Sequence, residues 1–76
     1  MRDLVLALTS LQTFFRENGL QWLAVEVNPD AVRTPEQART RINNVKNLLM
    51  LRRPSVKLMT GITAGIKRVE VTIDSI

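Results

Sequence analysis

The stretch SVKLMTGITAGIKRVEVTID, residues 55–74, decides what kind of fold this chain adopts. In its second half Val69, Val71 and Ile73 alternate with Arg68, Glu70, Thr72 and Asp74, the period-two pattern of a strand with one buried and one wet face. The first half, SVKLMTGI, is joined to IKRVEVTID by Thr63-Ala64-Gly65, a short turn-like connection that lets the two pieces pair as an antiparallel hairpin. Residues 55–74 therefore predict two strands and a sheet.

Upstream, LQWLAVEVN at residues 20–28 supplies the third strand. Leu23, Val25 and Val27 fall on one face of it and Trp22, Ala24 and Glu26 on the other. Asn28-Pro29-Asp30 then ends it, because proline donates no ladder hydrogen bond and its neighbours favour turns.

Two helices complete the reading. Leu4, Leu8, Leu11 and Phe15 recur at spacings of four, three and four, with Ala7 and Phe14 widening the stripe. Asp3 is a candidate N-cap, and Glu17-Asn18-Gly19 supplies a stop, since glycine takes the left-handed conformation that commonly follows a helix. The first helix is predicted over 3–18. Thr34-Pro35-Glu36-Gln37 opens the second: Thr34 caps, Pro35 suits the first helical position and Gln37 completes a capping box. Its apolar stripe is Ala38, Ile42, Val45 and Leu49, and Pro54 marks the end, because the residue before proline avoids helical geometry.

The order helix, strand, helix, strand, strand predicts a two-layer α+β domain, with two helices packed on a small, mainly antiparallel three-stranded sheet. At 76 residues the chain makes one domain at most, and so short a domain buries only about 60% of its unfolded surface. Help from a partner fits that margin. Hydrophobic residues at 45% against 24% charged place it among globular chains, with an aliphatic core, since only Trp22, Phe14 and Phe15 are aromatic.

Cysteine and histidine are both absent, which removes disulfides, thiolate nucleophiles, Ser/His hydrolysis and the commonest nitrogen metal ligand. The seven carboxylates never cluster in sequence. No catalytic, cofactor or metal residues are expected, and no small-molecule substrate. TGITAGIK, residues 60–67, lacks the spacing of a phosphate loop. The apolar start, residues 1–15, is interrupted by Thr9, Ser10 and Gln12 and reads as a mature helix without a secretion signal. No run approaches the roughly 18 apolar residues of a membrane span. A cytoplasmic or virion location is expected.

Eleven Lys and Arg against seven Asp and Glu give a formal charge of +4 and a pI of about 10.8, which favours polyanions or acidic proteins as neighbours. On the second helix Arg39, Asn43, Lys46, Met50 and Arg53 share one face, well separated from the apolar stripe. Such a basic row matches a phosphate backbone or an acidic partner, although rows of charge on helices commonly only face water. Arg52 and Arg53 also suit the helix C-terminus, where cations are stabilised by about 0.3–1 kcal/mol each. Beside them Leu48, Leu49, Met50 and Leu51 run unbroken. Four successive residues fan out over about 300° of the helix circumference, so a sheet on one side cannot cover them all, and Leu48, Met50 and Leu51 become candidates for a protein contact.

NLLMLRRPSVKLM, residues 47–59, resembles the segment after the central helix in small wedge proteins of contractile phage tails and type VI secretion baseplates. The likeness covers one helix end, the Arg53-Pro54 pair and an apolar continuation. That family's acidic residue and later Glu-Pro-Arg element are missing here and the chain is shorter, so the family is not assigned; the resemblance implies only a leaning toward viral or secretion assemblies. The expected function is a non-enzymatic protein–protein assembly module, in the manner of a phage structural or accessory subunit. It would self-associate or join a larger assembly through the apolar helix end and an exposed sheet edge. The alternative is a small nucleic-acid-binding protein that uses Arg39, Asn43, Lys46, Arg52 and Arg53 without strong sequence preference.

Overall fold

Residues 55–74 form one helix, not a hairpin. In the computed structural model, which describes residues 1–76, Val56–Asp74 is a single 19-residue α-helix, α4. Its N-cap is Ser55, whose side chain accepts a hydrogen bond from the Leu58 N–H. The buried residues Ile62, Ile66, Val69 and Ile73 stand at spacings of four, three and four, one stripe of a helix. Val71, which a strand would have buried with Val69 and Ile73, is 54% exposed. A β-branched residue costs a helix only a few tenths of a kcal/mol, whereas each buried aliphatic side chain stabilises by about 1.5–3 kcal/mol. The longer helical stripe therefore outweighs local strand preference.

The predicted strand at residues 20–28 is helical too. Gln21–Ala24 is a short α-helix, α2, and Val25–Val27 continues it as a 3-10 turn. Leu20, Leu23, Ala24 and Val27 are buried and Val25 is exposed, which is the helical spacing of three, one and three rather than alternation. Asn28 still breaks the run, since its side chain accepts from the Asp30 N–H and starts a second 3-10 turn over Pro29–Ala31. The elements are thus α1 (Arg2–Glu17), α2, two 3-10 turns, α3 (Pro35–Leu51) and α4, with no strand anywhere. The α+β class, the three-stranded sheet and the sheet edge offered for strand addition are all overturned.

The two helices read from periodicity stand where they were expected. Leu4, Ala7, Leu8, Leu11 and Phe15 of α1 are buried, as are Ala38, Ile42, Val45 and Leu49 of α3. Asp3 lies in the first turn of α1 rather than at its cap, which is Met1. Gly19 takes a φ of 72° and turns the chain out of α1. At the start of α3 the Thr34 hydroxyl accepts from the Gln37 N–H at 3.2 Å, while the Gln37 side chain accepts from the Arg33 N–H. This is a capping box displaced by one residue on its return bond.

Direction follows from cross-helix contacts. Phe14 lies over Gly61, Leu11 over Gly65, and the Ser10 hydroxyl accepts from Arg68, so α1 runs antiparallel to α4. Arg39 pairs with Asp74 and Lys46 with Glu70, so α3 also runs antiparallel to α4. Parallel α1 and α3 require a crossover along the bundle, which residues 20–32 provide. The buried Gln12 ties that crossover to α1 by donating to the Ala24 carbonyl oxygen at 3.3 Å. Eighteen buried hydrophobic residues, drawn from the four α-helices, the first 3-10 turn and the connections at Leu20 and Val32, form one core.

Gly61 and Gly65, expected near a turn, instead sit one helical turn apart against α1. A Cβ at Gly61 would stand 2.5 Å from the Phe14 ring, and one at Gly65 would stand 2.6 Å from Leu11 Cδ1. The missing side chains bring α1 and α4 into close approach.

Candidate functional site

The end of α3 and the start of α4 carry the three most exposed large apolar side chains of the chain. Along the row 48–51 the structure covers two residues and leaves two. Leu49 is buried and Leu48 packs partly against the core, whereas Met50 is 81% and Leu51 85% exposed. Val56, just beyond Pro54, is 86% exposed and joins them at the same end of the molecule. Sequence reading missed Val56 because it was placed on a strand.

Met50 also borders an open groove of about 670 Å³ between α3 and α4. Leu49, Met59 and Ile66 supply its apolar lining, and Arg39 and Lys46 stand along the α3 wall, with Arg53 just past its end, opposite Lys67, Glu70 and Asp74. Three members of the predicted basic face, Arg39, Lys46 and Met50, therefore do share one side of α3, whereas Arg53 falls beyond the helix end at Leu51 and reaches the groove from the connection to α4. Asn43 is exposed but does not line the groove.

The cations of that face are not equivalent. Arg39 pairs with Asp74 at 2.8 Å and Lys46 with Glu70 at 2.7 Å, both across the groove from α3 to α4. Arg52 turns elsewhere, its guanidinium 5.0 Å from the centre of the Trp22 ring, a cation–π contact between the α3 C-terminus and the crossover. Arg41, outside the predicted row, reaches Glu26 at 3.6 Å. Among the residues proposed for polyanion contact only Arg53 is an unpaired cation, and across the groove Lys67 is another.

Glu26 and Glu70 each face a cation of α3, Arg41 and Lys46. No three Asp or Glu side chains converge as a metal site. From Lys46 to Lys67 the chain carries no carboxylate but five Lys and Arg, so the α3–α4 end is both apolar and basic. No helix is long and apolar enough to cross a membrane. Comparison with known protein families, with curated proteins and with solved structures finds no match for this chain.

Proposed function

We propose that this chain is a small non-enzymatic docking module that joins a larger protein assembly through the end of α3 and the start of α4. One observation carries the reading: Met50, Leu51 and Val56 are each more than four-fifths exposed, close together in chain order around Pro54, whereas the next most exposed large hydrophobic residue, Val25, stands at 66%. Covering leucine-sized side chains contributes about 1.5–3 kcal/mol each, a large increment for a domain with so small a core. Exposed apolar clusters rimmed by charge are the usual mark of a partner surface.

Nucleic-acid binding by the face of α3 is the weaker reading. Arg39 and Lys46 are held by carboxylates of α4 and Arg52 by Trp22, which leaves few cations for phosphates. Site-specific photo-crosslinking in the native host tests the choice. A photoreactive residue at Leu51 or Val56 should yield one protein adduct of constant mass, and the same group at Glu36 should yield none. Adducts to nucleic acid, or adducts independent of position, overturn the proposal.

A further inference from the structure

The groove between α3 and α4 narrows what kind of partner would fit. The ion pairs Arg39–Asp74 and Lys46–Glu70 span one half of it. The other half, toward the exposed end, is an unspanned slot with Leu49, Met50, Met59 and Ile66 as its apolar lining and two unpaired cations, Arg53 just past the end of α3 and Lys67 on α4. Along α4 the slot runs from Met59 to Ile66, seven residues or roughly 10 Å of helix axis. We propose that this slot takes about two turns of an amphipathic helix from another protein, whose apolar residues seat on the methionine-lined floor while its carboxylates meet Arg53 and Lys67.

Charge complementarity selects that occupant. With no Asp or Glu between residues 36 and 70, nothing at this end offsets the cations, so an acidic rim on the partner is favoured and a basic one is repelled. Thioether side chains such as Met50 and Met59 adapt to varied apolar anchors, and an apolar face laid between two helices is a recurrent mode of recognition. A second copy meeting this one end to end would oppose Arg52, Arg53 and Lys57 to their equals. Three of the chain's seven carboxylates are already paired internally, which leaves a copy less acid to offer. A flat anionic membrane surface cannot follow the floor down to Leu49 and Ile66, which are only 6% and 7% exposed. Duplex nucleic acid has no apolar ridge for that floor.

The inference rests on the docking reading above, and the test separates the two. The chain has three methionines; Met50 and Met59 line the slot, and Met1, at the far end of the bundle, serves as internal control. Methyl-labelled full-length protein would be titrated with a synthetic helical peptide carrying leucines at i, i+3, i+4 and i+7 flanked by glutamates, and with its lysine counterpart. The glutamate peptide should shift the Met50 and Met59 methyl signals and leave Met1 still, and it should bind about tenfold more tightly than the lysine peptide, as two rim ion pairs allow. The double variant Arg53→Glu/Lys67→Glu, altering exposed residues with no partner to lose, should invert that preference. Equal binding of both peptides, or no shift at Met50 and Met59, overturns the acidic-helix inference. Protein adducts at Leu51 would then still uphold docking, and their absence would remove both. Shifts produced instead by dilution, by anionic phosphatidylserine vesicles or by duplex DNA also overturn it.

Discussion

Gly65 lies so close to Leu11 that a Cβ at residue 65 would stand 2.6 Å from the Leu11 Cδ1. Leu11 is buried at 2% exposure, so its side chain cannot move aside without disturbing the core. Alanine gains about 1 kcal/mol over glycine in a helix interior, but overpacking a core costs about 1–3 kcal/mol. Gly65→Ala is therefore expected to lower stability by about 1 kcal/mol. Gly61→Ala meets Phe14 instead, a half-buried ring that can swing toward solvent, so there the helix gain offsets the clash. Urea midpoints of the two variants check this; equal effects would show that the seat is not asymmetric.

Trp22 and Arg52 give a second measurable contact. A cation–π pair at an exposed site contributes about 0.5–1 kcal/mol, and Arg52 is exposed at the end of α3. Arg52→Ala should lower stability by that amount and alter the emission of Trp22, the one tryptophan in the chain. Arg52→Lys should fall between, because an ammonium lacks the planar guanidinium's stacking. Unchanged emission in Arg52→Ala would mean that the two groups do not meet in solution.

The carboxylates of α4 hold two cations of α3, and removing them should set those cations free. Surface ion pairs contribute about 0–1 kcal/mol to stability, so Glu70→Gln/Asp74→Asn should leave the urea midpoint nearly unchanged. Binding to duplex DNA should strengthen, with a steeper dependence on salt, because each cation newly available to phosphates adds about one unit to the slope. Fluorescence anisotropy with a labelled duplex at 50 and 200 mM salt reads this directly. If the wild type and the double variant bind alike, the pairs do not restrain Arg39 and Lys46.

How far the sequence reached depends on how long each periodic pattern is. In α1 and α3 the apolar spacing persists over several turns and is bounded by Gly19 and by Thr34-Pro35, so both helices were legible. In residues 69–74 six alternating residues imitate a strand, and only a window reaching back to Ile62 reveals the spacing that buries Ile62, Ile66, Val69 and Ile73. Val25 misled in the same way, exposed between buried Leu23 and Val27. The glycines compounded the error: local chemistry reads Gly65 as a turn, while its role is close packing against a helix fifty residues away. For the site, helix arithmetic places Arg39, Lys46 and Met50 on one face of α3, but Arg53 falls past the helix end, and the partners of Arg39 and Lys46, Asp74 and Glu70, come from an element whose alternation imitates a strand. The division of that face into paired and unpaired cations could not be seen until α4 was a helix.

Leu49, Leu51 and Met50 offer the sharpest separation of folding from docking. Leu49 is 6% exposed within the core, so Leu49→Glu would bury an unpaired charge and should unfold the domain. Leu51 and Met50, at 85% and 81% exposed, lose almost no burial when replaced, and Leu51→Glu and Met50→Glu should stay within about 0.5 kcal/mol of the wild type. If the proposed function holds, these same two variants abolish the protein adduct captured by a photoreactive residue at Val56. A charge at either position must be desolvated against an apolar partner surface, at a cost of several kcal/mol. Circular dichroism would show the fold retained while crosslinking is lost. Retained crosslinking in both variants would place the partner elsewhere on the molecule.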